Sequence, residues 1–167
     1  VVDVSPKYRA VSNEVDSYKI SKTTPVFIHI ARFSPQKNQQ LLVDSFNKLD
    51  SEMIDFTLLI IGNGYDCEEG KRLQFTACNK IHFLGEKDNV IDYLKCSDAF
   101  CLTSLYEGLP ISLLEALSCG VTPICTPVGG ISDVIVDSVY GYLSVGHNVD
   151  EYCKAIRRFM KHPLPSQ

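Results

Sequence analysis

The sequence predicts an α/β fold, a doubly wound parallel sheet of about six strands with helices on both faces. Three observations carry this expectation. Short apolar, β-branched runs recur without polar alternation, which marks strands buried on both faces. Segments with apolar residues at helical spacing separate these runs. Glycines close several of the runs, as at Gly62-Asn63-Gly64 and Gly85. Regular alternation of the two kinds of segment implies right-handed βαβ units.

Taken in order, the first run is Val26 to Ala31, followed by a loop over Arg32 to Lys37. A helix then starts near Asn38, with Leu41, Leu42, Ser45, Phe46 and Leu49 on one face. The second strand is Phe56 to Ile61, and an amphipathic stretch covers about 66–78. Ile81 to Leu84 is the third strand, and Val90 to Leu94 the next helix. Ala99 to Leu102 is the fourth strand, with a loop at 103–109 leading into a helix over 110–118. Val121 to Cys125 is the fifth, followed by a short helix around 132–136. A last short strand near 142–145 precedes a closing helix at about 149–160.

The chain of 167 residues is one domain's worth, with an ordinary 45% hydrophobic content. Residues 1–24 are polar and aperiodic and read as a linker or tail; 25–162 form the domain and 163–167 a tail. A net charge of −4 without a dense Lys/Arg stripe argues against a nucleic-acid partner. Seven cysteines, odd in number and without a C-x-x-C pair, read as reduced thiols of a cytoplasmic protein rather than as a metal site. No apolar run reaches the ~18–20 residues of a membrane span, and no signal peptide is visible.

In doubly wound sheets ligands bind at the carboxyl ends of the strands, near the switch in strand order. The strand-to-helix loops are therefore the candidate sites. Arg32 and Lys37 share the first loop, as either a diphosphate clamp or two solvated charges, and both are expected at the surface. The loop after the fourth strand is the richest, running from Ser104 through Glu107, Gly108, Leu109 and Pro110 to Glu115. Pro110 suits the first helical position, and the free N–H groups of that helix start form an anion site. Glu107 and Glu115 are eight residues apart, either a functional pair or a capping acid plus a solvated one. Gly62-Asn63-Gly64 reads as a tight turn rather than a dinucleotide fingerprint, since no third glycine follows at the expected spacing. Gly129 and Gly130 either admit a ligand or permit a turn.

Together these loops resemble the C-terminal domain of the glycosyltransferase family 4 enzymes, one half of the GT-B fold and Rossmann-like in architecture. The matching segments are Ala31-Arg32 with Lys37, Leu59 to Gly64, Ile81 to Gly85, and Ser97 to Phe100. They continue through Ser104 to Pro110 with Glu115 to Gly120, and end at Pro127 to Gly130 with Asp133. The segments follow the family's order over about residues 25–160.

The resemblance implies that Arg32 and Lys37 hold the nucleotide diphosphate as it leaves, with Glu107 near the anomeric centre. It implies that Gly108, Leu109 and Pro110 contact sugar and phosphate, with Ser104, Gly129 and Gly130 lining the donor site. Glu115 then binds the ribose hydroxyls, and Gly85 and Glu86 touch the base. The implied enzyme is a retaining hexosyltransferase of bacterial polysaccharide or glycoconjugate synthesis. It uses a UDP- or GDP-sugar as donor and requires no metal or other cofactor. The implied partner is a missing N-terminal acceptor-binding domain, through which peripheral contact with the inner face of a membrane would come. The alternative is a non-catalytic nucleotide-sugar-binding or regulatory module. Three residues depart from the family pattern: Ala31 and Asn38 stand where glycines are usual, and Asp133 where glutamate is frequent.

Overall fold

The computed structural model describes residues 5–164. The outer parts of the expected linker (1–4) and tail (165–167) lie outside the described residues. Six strands form one sheet: β1 (Val26–Ile30), β2 (Thr57–Ile61), β3 (Ile81–Gly85), β4 (Ala99–Leu102), β5 (Thr122–Cys125) and β6 (Tyr142–Leu143). Their order is β3-β2-β1-β4-β5-β6, and every pairing is parallel. The helices are α1 (Pro6–Tyr18), α2 (Gln39–Ser51), α3 (Glu68–Thr76), α4 (Val90–Lys95), α5 (Ile111–Ser118), α6 (Gly130–Val134) and α7 (Val149–Lys161). A 3₁₀ turn, Pro35–Lys37, lies between β1 and α2.

The central strands are apolar on both faces because both faces are covered. Phe27, Leu58, Ile60, Cys101 and Ile124 pack beneath α2 and α7, against Leu42, Phe46, Tyr152 and Ile156. The intervening residues Val26, Ile28, Leu59, Phe100 and Leu102 meet Tyr93 and Leu94 of α4 and Leu113 and Ala116 of α5. Alternation along each strand thus divides one set of side chains into two cores.

The amino-terminal segment corrects the sequence expectation. Residues 6–18 form the helix α1 rather than an aperiodic stretch, and α1 packs on α4. Ser5 caps the helix by accepting the Tyr8 N–H, and Pro6 occupies its first turn. Val11 and Val15, one turn apart, enter the second core, and the Tyr93 hydroxyl donates to Glu14 at 2.8 Å. Val11, Val15 and Tyr18 face the second core at helical spacing, a short stripe set in an otherwise polar stretch that the sequence reading passed over. The Ser-Pro start was the available signal.

Smaller differences concern boundaries. Pro110 is the cap of α5 rather than its first helical residue, and α6 begins at Gly130 rather than near 132. All seven cysteines are free thiols; Cys101, Cys125 and Cys153 are buried, whereas Cys67 is exposed. No helix among the described residues is long and apolar enough to cross a membrane.

Val15 is 2% exposed, so Val15→Ala lowers the unfolding free energy in urea by about 2 kcal/mol. An unchanged urea midpoint would return residues 6–18 to the status of a tail.

Candidate functional site

The strand order reverses between β1 and β4, because β1 leads outward to β2 and β4 outward to β5. Loops leaving these two strands at their carboxyl ends diverge, which opens a crevice between them. The loop after β1 first stays beside β2: the Ala31 N–H donates to the Ile61 carbonyl and the Phe33 N–H to that of Asn63. Gly62 makes this approach feasible, since a Cβ there would lie 2.0 Å from the Ala31 oxygen. The turn reading of Gly62-Asn63-Gly64 therefore acquires a reason. Asn38 ends the 3₁₀ turn in the left-handed region at φ 49°, a conformation asparagine tolerates better than most residues. The turn is intact with asparagine at this position.

The loops after β1 and β4 are joined across the crevice. The Thr103 hydroxyl lies 3.0 Å from the carbonyls of both Lys37 and Asn38, and the Leu105 N–H donates to the Gln36 carbonyl. The Gln36 amide returns a bond to the Tyr106 carbonyl. Lys37 pairs with Glu107, whose Oε1 also accepts the Ser104 hydroxyl at 2.6 Å. These side chains are little exposed, 17% for Lys37 and 6% for Glu107. Lys37 is thus part of a part-buried pair rather than a free surface cation, which corrects the sequence expectation. The richer local text of the β4 loop gave Glu107 but not its partner seventy residues away.

The loop after β5 closes the third side. Thr126 donates to the Ser104 carbonyl and the Gly130 N–H to that of Gly108. Gly129 has φ +51°, and a Cβ on it would sit 1.9 Å from the Glu107 oxygen. Its absence of side chain is required for the close approach of these two loops.

Lys37, Ser104, Glu107, Gly108, Gly129 and Gly130 are therefore brought together. Arg32 is exposed on the same loop as Lys37 and has no ion-pair partner among the described residues. Leu109 is exposed and Pro110 buried. α5 begins at this edge with no side chain capping it, so its first amides and dipole face the crevice. Glu115 lies in the second turn of α5, partly buried. Gly85 and Glu86 are exposed at the end of β3, separated from β4 by β2 and β1.

His29 escaped the sequence reading, although a histidine inside an apolar central strand was the signal. It is fully buried beneath the Lys37–Glu107 pair, and its Nδ1–H donates to the Cys101 carbonyl at 2.9 Å. Burial pushes its pKa down to about 4; the Cys101 bond opposes this, Lys37 reinforces it and Glu107 opposes it. His82, half-buried, is shifted down by burial as well.

Comparison with known proteins adds a consistent set of relatives. The family model described as "Glycosyl transferases group 1" matches residues 11–167. The N-acetyl-alpha-D-glucosaminyl L-malate synthase of Bacillus anthracis is 38% identical over 130 residues, covering 75% of this chain and 33% of that protein. The UDP-Gal:alpha-D-GlcNAc-diphosphoundecaprenol alpha-1,3-galactosyltransferase of Escherichia coli is 26% identical over 144 residues, covering 83% and 37%. The chain spans about a third of the length of these curated relatives. Among solved structures, Anabaena HepE in complex with UDP and glucose superposes with a TM-score of 0.79 at 20% identity, over 95% of this chain and 44% of that one. A glycosyltransferase from Rickettsia africae gives 0.80 at 18% identity, over 95% and 43%.

Two predictions follow from the buried groups. Lys37→Met strands a nearly buried carboxylate and costs about 3 kcal/mol. Adding Glu107→Gln restores most of this; additive losses in the double-mutant cycle would contradict the pairing. The second concerns pH. Unfolded, His29 titrates near the ordinary value of about 6.5; folded, it does so at about 4. The unfolded chain therefore binds the extra proton within that window, so stability is full above it and falls as pH drops through about 6.5. From pH 7 to 5 the loss is about 2 kcal/mol by denaturant unfolding, and His29→Gln flattens it. An equal slope in that variant would relieve His29 of the role.

Proposed function

The chain belongs to the group 1 glycosyltransferases, and from that premise we propose that it is the donor-binding half of a retaining, metal-independent family 4 enzyme. In this reading the enzyme transfers a hexose from a nucleotide sugar to an acceptor hydroxyl in bacterial polysaccharide or glycoconjugate synthesis. The observation that carries the reading is the joining of the β1, β4 and β5 loops around Lys37 and Glu107 at the reversal of strand order.

The chemistry asks for positive charge where the diphosphate departs and stabilisation of an oxocarbenium-like centre beside it. Exposed Arg32 offers a planar fork to the phosphates, and the start of α5 supplies open amides and a favourable dipole. An ammonium has three donors, so Lys37 can hold Glu107 and still reach a phosphate. Glu107 already accepts from Lys37 and Ser104, which fixes the position of its carboxylate beside the anomeric carbon. Glu115 is assigned to the ribose hydroxyls, and Gly85 with Glu86 to the base. Gly108, Leu109 and Pro110 contact sugar and phosphate, with Gly129 and Gly130 at the rim.

A uridine nucleotide is the first candidate, because the E. coli relative is named for UDP-Gal and HepE was solved with UDP. The greater length of the relatives supports an acceptor site in another part of such enzymes. A cytoplasmic location, with any membrane contact made through that other part, goes with this reading. The 167-residue chain is then expected to bind donor weakly and turn over little.

Thermal unfolding against UDP, GDP, ADP and their sugar conjugates tests the proposal. A ligand at 100 times its Kd adds about 2.7 kcal/mol, a rise of several degrees. Arg32→Ala weakens the selected nucleotide by about 1.5–3 kcal/mol without lowering the ligand-free Tm, since Arg32 is exposed. A shift equal for all nucleotides, or undiminished in Arg32→Ala, would remove the phosphate clamp.

A further inference from the structure

Beneath the loop that carries Arg32 and Lys37 lies a short chain of buried polar groups that the donor chemistry does not itself use. It begins at the Cys101 carbonyl in β4, which accepts the Nδ1–H of His29 in β1 at 2.9 Å. A carbonyl only accepts, so the proton of the neutral ring resides on Nδ1, and Nε2 is an acceptor. The Gln39 amide nitrogen stands 3.3 Å from that Nε2 and 2.9 Å from the Arg32 carbonyl. Its two N–H groups therefore serve the ring and the loop backbone together. The remaining amide atom, Oε1, faces the Ser34 N–H at 3.4 Å. Gln39 is 1% exposed and His29 fully buried, so bulk solvent does not reach these bonds.

The directions of donation are mutually consistent from end to end. β4 fixes the ring, the ring fixes Gln39, and Gln39 holds the backbone at Arg32 and Ser34. This stretch carries the one cation of the loop that has no carboxylate partner among the described residues. We propose that His29 and Gln39 are positioning residues: the neutral imidazole, acting through Gln39, sets the backbone from Arg32 to Ser34 and so aims Arg32 at the donor diphosphate. The inference rests on the donor-site reading for its ligand but not for its geometry.

The charged groups facing His29 are Lys37 from the 3₁₀ turn and Glu107 from the β4 loop, opposite in effect on the ring. The Tyr65 hydroxyl, from the loop after β2, approaches the Ala31 carbonyl at 3.5 Å and also meets the Gln39 side chain. None of them takes over the bond to the Arg32 carbonyl.

The test uses the intact chain, with UDP affinity by calorimetry and amide hydrogen exchange at Ser34 as separate readouts. Gln39→Leu and His29→Leu are expected to speed Ser34 exchange and weaken UDP binding, each by about tenfold, the scale of one lost buried hydrogen bond. The Leu58 amide, bonded to Lys80 in the β2–β3 ladder, serves as the internal reference. His29→Gln, which can donate to Cys101 and accept from Gln39 without titrating, retains both wild-type values. Val15→Ala, of comparable stability loss but remote from the loop, moves neither. Unchanged exchange in the two leucine variants, or changes equal to those of Val15→Ala, would overturn the inference. Failure of the wild-type chain to bind UDP would count against the donor site alone, and the exchange results would still decide whether His29 and Gln39 hold the loop.

Discussion

The pair between Lys37 and Glu107 spans the one place in the sheet where neighbouring strands send their chains in opposite directions. Parallel strands cannot close such a gap through their own ladder, because the ladder ends where the loops diverge. The gap is instead bridged by side chains and loop backbone: Thr103 to the Lys37 and Asn38 carbonyls, Leu105 to Gln36, and the ion pair above them. Each bond joins residues about seventy positions apart in sequence. The crevice therefore exists only in the completed fold, and its charges are ordered before any ligand arrives.

That ordering depends on packing at very short range. Gly62 and Gly129 sit where a Cβ would fall about 2 Å from a carbonyl oxygen of the neighbouring loop. These glycines let two pairs of loops, those after β1 and β2 and those after β4 and β5, approach backbone to backbone, which leaves little freedom for the side chains they carry. A site held this way loses little entropy on binding and keeps its donors fixed as charge develops on a departing phosphate. The cost is a part-buried ion pair beside a fully buried histidine, both sensitive to loss of one partner. His29 stays neutral because burial outweighs its bond to Cys101, and that neutrality leaves Nε2 able to accept from Gln39.

The sheet was legible because β1, β2, β4 and β5 are short, buried throughout and largely apolar, a pattern an exposed strand does not produce, and because helical segments alternate with them. The loops were legible because function there concentrates glycine, proline and acid in a few adjacent positions. What escaped was of two kinds. α1 presents Val11, Val15 and Tyr18 to the core, a short stripe at helical spacing whose polar surroundings masked it. The burial of Lys37, and the link from His29 to Gln39, arise from contacts between distant segments that no local window contains. Pro110 illustrates a milder limit: helix boundaries move by a residue because capping and helical positions tolerate proline alike.

The central claim is that a nucleoside diphosphate occupies the crevice between the β1 and β4 loops. Amide chemical-shift mapping of the chain titrated with UDP addresses it directly. The account predicts shifts concentrated at residues 31–38, 103–112 and 128–131, with a smaller set at Gly85 and Glu86. Shifts centred instead on α7, on β6 or on the outer face of α1, with the crevice amides unmoved, would contradict it.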